Sequence, residues 1–189
     1  AWNEIPVRAH IQLHGYDRPQ YVNVQYPWDG REQIAPGQVP ERFNPVASYI
    51  QDFTLERPLD AGERLSISFH GAESGIAIWL NGRYIGYATD SFTPSEFDLT
   101  DALVAGENRL AAQVFKWTSG SWLEDQDFYR FSGIFRDVVL YRRPRVHVED
   151  LHITTELAAD NASADVVVAI DLVGEGSVSV RLDGVGELT

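Results

Sequence analysis

The sequence predicts an all-β sandwich, and three observations carry that prediction. Apolar and polar residues alternate with period two along much of the chain, while helical periodicity is nearly absent. An Asn-Gly pair at 81–82 joins two β-rich arms. Short strand-like runs return at the close spacing of a sandwich.

The elements follow in order. "SYIQDFTL" sets Tyr49, Gln51, Phe53 and Leu55 against Ser48, Ile50, Asp52 and Thr54, a strand with both faces partly covered. "RLSISF" places Leu65, Ile67 and Phe69 on one face and Ser66 and Ser68 on the other, the pattern of a half-buried strand. "GIAIWLNGRYIGYA" is the clearest element: a hairpin whose turn uses Asn81-Gly82, the pair that best tolerates positive φ. A stretch around Leu99–Leu103 fits one helical turn, ended by Gly106 and Asn108, and a strand follows from Arg109 to Trp117. "IFRDVVLYRR" reads as another strand.

Pro144 then breaks the chain and marks a boundary between residues 1–144 and 145–189. Beyond it, "RVHVEDLHITTEL", "ADVVVAIDLV" and "SVSVRLD" supply three strands, too few to close an immunoglobulin-like sandwich. The second domain is therefore expected to be truncated, with open apolar faces and edges that invite self-association or disorder around residues 147–189. A chain that begins at Ala1 and stops at "RLDGVGELT" reads as a piece of a longer polypeptide.

Composition narrows the function classes. At 189 residues, 44% apolar, the chain can bury one large core plus part of another. A net charge of −13 argues against nucleic acid and against an anionic membrane surface as partners. No run approaches the ~18 apolar residues of a membrane span. Zero cysteines exclude disulfides and thiolate metal sites and suit a reducing compartment.

Two stretches carry chemistry. In "SWLEDQDFYRF", Glu124, Asp125 and Asp127 are hemmed in by Trp122, Phe128, Tyr129 and Phe131. Acids set against aromatics need compensation. Asp125 and Asp127 could form a glycosidase acid/base pair, although they would lie side by side rather than flank a sugar. They could contribute oxygen ligands to a hard cation, or pair structurally with Arg130 and Arg136. The second stretch, "HGYDRPQYVNVQYPWDG", mixes Tyr16, Tyr21, Tyr26 and Trp28 with Asn23, Asp17 and Asp29. That mixture suits a sugar, whose CH faces stack on rings while its hydroxyls take polar groups, and equally suits an aromatic core edge with turn-forming residues. The five histidines are scattered, and no serine sits on a nucleophile elbow.

These two stretches, with "NGRYIGYATDSFTPSEFDLTDALVAGENRLAAQVFKW", resemble the amino-terminal region of the large β-galactosidases of glycoside hydrolase family 2, over most of residues 10–141. The resemblance implies a jelly-roll, galactose-binding-domain-like β-sandwich followed by the start of an immunoglobulin-like β-sandwich. It implies that the catalytic glutamates lie in a separate barrel, so that this chain contributes no catalytic residue and is inert alone. By the same resemblance Asn23 lines the galactose subsite, Val24 lies near the aglycone, and Asp127 hydrogen-bonds galactose and ligates a sodium ion completed by the barrel. Glu124, Asp125 and Arg130 then serve to aim Asp127. Magnesium is implied for the parent, with no ligand in this chain. The implied parent is a cytoplasmic homo-oligomer that hydrolyses lactose-like β-galactosides by a retaining mechanism, its other domains being this chain's partners. The competing readings are a stand-alone carbohydrate-binding module and the corresponding domain of a β-glucuronidase or β-mannosidase.

Overall fold

A computed structural model describes residues 2–124, 127–184 and 186–188. Its strands are Gln20–Val22 (β1), Val46–Thr54 (β2), Arg64–Phe69 (β3), Ala72–Glu73 (β4), Gly75–Leu80 (β5), Arg83–Ala88 (β6), Ser95–Asp98 (β7), Glu107–Phe115 (β8), Phe128–Arg130 (β9), Gly133–Ile134 (β10), Val138–Arg143 (β11), His147–Leu157 (β12), Ala164–Val173 (β13), Val180–Leu182 (β14) and Gly186–Leu188 (β15). Among the described residues the only helical pieces are short 3₁₀ turns, one of them Thr100–Ala102 inside the stretch expected to turn. The chain is all-β. It forms two compact units, Ala1–Pro58 with Leu65–Tyr141, and Leu59–Arg64 with Arg142–Thr189.

In the first unit a four-stranded antiparallel sheet, in the order β2-β8-β5-β6, faces a three-stranded sheet, in the order β11-β3-β7. The Asn-Gly turn joins β5 to β6, with φ of 53° at Asn81 and 81° at Gly82, the doubly positive geometry that a tight hairpin requires. Period-two patterning sends Ile76, Ile78 and Leu80 of β5 and Leu110, Ala112 and Val114 of β8 into the core. Leu65, Ile67 and Phe69 of β3 are buried as well. Gly86 on β6 sits where a Cβ would fall 2.7 Å from the Phe97 ring of β7, so the two sheets approach closely there. Asn108, expected to end a turn, lies inside β8 with its side chain fully buried. Its Oδ1 accepts from the Val104 N–H at 2.9 Å and its Nδ2 donates to the carbonyls of Val104 and Gly106 at 3.1 Å, fastening the loop that enters the strand.

Two strand expectations need correction. β3 is covered on both faces rather than one, with Ser66 and Ser68 as buried as their apolar neighbours. Serine is small enough to be enclosed, so alternation distinguished the faces without fixing their exposure. "IFRDVVLYRR" is two strands, because the chain changes partner within it. β10 pairs with β4, whereas β11 borders β3. At the change, the Arg136 guanidinium donates to the Phe92 carbonyl at 2.6 Å.

In the second unit β12 and β13 form an antiparallel hairpin from His147↔Val173 to Leu157↔Ala164, with a register shift between Val148 and Asp150. Asn161 takes a left-handed φ of 54° in its turn. The hairpin leaves Leu151, Ile153, Leu157 and Val167 exposed. "SVSVRLD" yields only the short β14, which pairs with β15.

Candidate functional site

The two chemically suggestive stretches meet. β1 and β9 are three residues long and pair antiparallel, Gln20↔Arg130, Tyr21↔Tyr129 and Val22↔Phe128. One register step beyond the last pair stand Asn23 on one side and Asp127 on the other. Residues more than a hundred positions apart therefore share one end of a short ribbon.

Both are exposed, as is Val24. The Asn23 Oδ1 accepts the Val24 N–H at 2.8 Å, which fixes the amide against its own backbone. Asp127 accepts a hydrogen bond at Oδ1 from the Tyr21 hydroxyl at 2.5 Å. That bond, and the negative charge behind it, raise the Tyr21 phenol above its ordinary pKa. The Tyr129 ring lies 5.2 Å from the Tyr21 ring, tilted by 47°. Exposed phenol, carboxylate and amide groups at one edge form a surface able to bind hydroxyls and a ring face.

Beneath this edge the acids are compensated. Arg130, 3% exposed, donates to Glu124 Oε2 at 3.0 Å. Burial still raises the Glu124 pKa, against the lowering effects of Arg130 and of a Ser121 hydrogen bond. Arg136 binds backbone carbonyls of His70 and Phe92, so it does not take the second structural pairing open to it. Asp125 lies outside the described residues. Among the described residues no group of three or more His, Cys, Asp or Glu could hold a metal ion.

Sequence reasoning missed the support behind the ribbon. Glu73 of β4 is buried, with the His10 Nδ1 3.8 Å away. Burial first, then repulsion by Glu124, pushes its carboxyl up to about 7 despite Arg130 and Lys116. Burial also lowers the His10 pKa. Lys116, 2% exposed, donates to Asp17 Oδ2 at 2.6 Å and to the Arg18 carbonyl at 3.2 Å. Gln12 Nε2 donates to the same carboxylate and to Ser132 Oγ, each at 2.8 Å. Burial alone would raise the Asp17 pKa, but these hydrogen bonds outweigh it and the pKa is lowered. The network ties the segment entering β1 to the segment leaving β9. Its sequence signal was the lysine of "AAQVFKW", at a position where alternation points inward.

The aromatic stretch divides between its two readings. Trp28 is buried, with Tyr26 stacked on it at 5.3 Å and Trp122 and Trp117 rings at 4.8 Å and 6.1 Å. Trp28 and Trp117 are core, and Tyr26 and Trp122 are half-buried against them. Tyr16 and Tyr21 are about half exposed, and of these Tyr21 belongs to the site edge. A cavity of about 730 Å³ lies elsewhere, lined by Trp2, Tyr49, Phe69, Leu110 and Val138 among others. Neither Asn23 nor Asp127 lines it, and its wall is largely apolar, so the polar edge is the better candidate despite being shallower.

The chain matches the family described as "Glycosyl hydrolases family 2, sugar binding domain" over residues 2–144. It is 53% identical to a β-galactosidase of Halalkalibacterium halodurans over 157 residues, 83% of this chain and 15% of that protein. It is 47% identical to a β-galactosidase of Clostridium acetobutylicum over 177 residues, 94% of this chain and 20% of that protein. The chain thus spans 15 to 20% of the length of these relatives. Among solved structures, an FMN-binding β-glucuronidase from Facaelibacterium prausnitzii L2-6 superposes with a TM-score of 0.62 at 18% identity, covering 82% of this chain and 28% of the other, a likeness of fold.

Proposed function

The chain belongs to glycosyl hydrolase family 2, as its sugar-binding domain, and from that premise we propose that it is the amino-terminal part of a β-galactosidase. Its role is to hold the non-reducing galactose while catalytic glutamates on another domain perform the retaining displacement. The observation that carries this reading is the β1–β9 register, which sets Asn23 opposite Asp127 at an exposed edge. The amide can both donate to and accept from sugar hydroxyls, and the carboxylate accepts from them. Val24, 85% exposed, offers an apolar contact to the aglycone side. Fixed contacts of this kind favour the reacting geometry and speed the chemical step only where they tighten in the transition state.

Asp127 also fits sodium as one oxygen ligand, since an exposed carboxylate suits a hard cation. Among the described residues no group of three or more His, Cys, Asp or Glu could hold a metal ion, and we place the remaining ligands on other domains. When bound, the ion supplies positive charge that offsets the Asp127 carboxylate and orients sugar oxygens. A neutral sugar suits this edge better than a glucuronide, whose carboxylate would lie against that of Asp127. We extend the proposal to lactose-like substrates, to a homo-oligomeric parent whose magnesium is held outside this chain, and to a cytoplasmic setting, which the cysteine-free sequence suits. Residues 145–189 are the opening of an immunoglobulin-like sandwich, a reading supported by the uncovered apolar residues of β12 and β13.

The test is Asp127→Asn in the full-length polypeptide, assayed on an aryl β-galactoside across sodium concentrations. The variant is expected to lose sodium activation and to raise KM by roughly tenfold or more, the effect of one charge-assisted contact. An unchanged sodium response removes Asp127 from the ion site, and an unchanged KM removes it from the sugar.

A further inference from the structure

We infer that Tyr21 is the positioning residue of the proposed galactoside site, holding the Asp127 carboxylate in its binding orientation; the inference rests on that reading of Asp127. An exposed aspartate at the start of a strand samples several rotamers, and fixing one has an entropic cost that binding would otherwise have to meet. Tyr21 takes up part of that cost in advance. Its backbone is pinned between Gln20, opposite the buried Arg130, and the buried Val22. Its ring rests beside that of Tyr129, and its hydroxyl donates to Asp127 Oδ1 at 2.5 Å.

The geometry follows from strand periodicity. Tyr21 faces Tyr129 across the ribbon, and Asp127 is two residues before Tyr129, so Asp127 is the diagonal neighbour on the same face. At that distance a long, rigid side chain reaches a short one, and tyrosine does so with few torsions to freeze. Tyr129 is the complementary case: it shares the face and the ring contact, yet the hydroxyl that meets Asp127 belongs to Tyr21. A neutral phenol donating to one oxygen uses one of the roughly four acceptor positions of a carboxylate, the group type that accepts from sugar hydroxyls and ligates hard cations.

The test compares Tyr21→Phe, Tyr129→Phe, Asp127→Asn and the Tyr21→Phe/Asp127→Asn double variant in the full-length polypeptide. Three quantities are read: the Kd of isopropyl β-D-thiogalactoside by calorimetry at fixed sodium, KM and kcat on an aryl β-galactoside, and the melting temperature. Tyr21→Phe keeps the ring and should weaken inhibitor binding and raise KM by about tenfold, the effect of one hydrogen bond to a charged group. It should leave kcat within about twofold and the melting temperature unchanged, and Tyr129→Phe, which leaves the Tyr21–Asp127 hydrogen bond in place, should weaken binding less than Tyr21→Phe does. The double variant should bind no more weakly than Asp127→Asn alone, because the phenol acts only through the carboxylate. If Tyr21→Phe binds normally while Asp127→Asn does not, the positioning role is wrong and the sugar site stands. Additive losses in the double variant, or a loss in Tyr21→Phe matched by a fall in melting temperature, overturn the role as well. If Asp127→Asn itself binds normally, the site reading fails and the inference fails with it.

Discussion

Replacing Glu73 with glutamine should stabilise the chain at alkaline pH and do nothing at acid pH. Glu73 is 6% exposed, and its carboxyl is pushed from an ordinary 4.5 to about 7, chiefly by burial and then by Glu124. The folded state therefore holds this proton more tightly than the unfolded chain does. Stability from that difference is fully present below pH 4.5 and is lost as the pH rises through about 7. The interval from 4.5 to about 7, at roughly 1.4 kcal/mol per pH unit, corresponds to about 3 kcal/mol. Glutamine keeps the shape and cannot ionise. The variant should then match the wild type near pH 4.5 and melt about 10 °C higher at pH 8, given the few degrees per kcal/mol of chains this size. Thermal unfolding of both proteins at half-unit intervals from pH 4.5 to 8.5 measures the difference directly, and titrating groups remote from Glu73 cancel between them. Melting curves that run parallel across that range would show that Glu73 ionises without hindrance, and the picture of a buried acid behind the ribbon would be wrong.

The other side of the buttress gives the opposite sign. Lys116→Met should destabilise by about 3 kcal/mol in urea unfolding, because it leaves Asp17 partly buried without its cation. The stability carried by Asp17 is present above the ordinary carboxylate range and is lost as pH falls through its lowered pKa, so the wild type and the variant should converge in acid; a constant difference would assign the loss to packing alone. Trp28→Ala removes a fully buried ring from the Tyr26, Trp117 and Trp122 cluster and should cost about 3–5 kcal/mol in the same assay. A cost below about 1 kcal/mol would mean that the cluster is not part of the core.

The strands that carry strong local signals were legible in the sequence. The Asn81-Gly82 hairpin states its own turn, and β2, β8, β12 and β13 are long enough for period two to register. What sequence did not disclose is the short pairing that makes the site. β1 and β9 have three residues each and no local reason to be strands; they exist because they find each other across more than a hundred residues. Asn23 and Asp127 stood out in their own stretches, but a shared site for them came only through resemblance, and nothing in their spacing placed them side by side. The same limit hid Glu73 and Lys116, whose partners are distant in the chain, and the reach of Gln12 to Ser132. Burial of a small polar residue was misjudged at Ser66 and Ser68, where alternation marked a face and tertiary covering decided its exposure.

A crystal structure of the full-length polypeptide with galactose bound is the most direct measurement. The sugar's hydroxyls should lie within about 3 Å of both the Asn23 amide and the Asp127 carboxylate, with the Tyr21 hydroxyl still on that carboxylate. A galactose seated among residues of the other domains alone, with the end of the β1–β9 ribbon in water, would contradict the account.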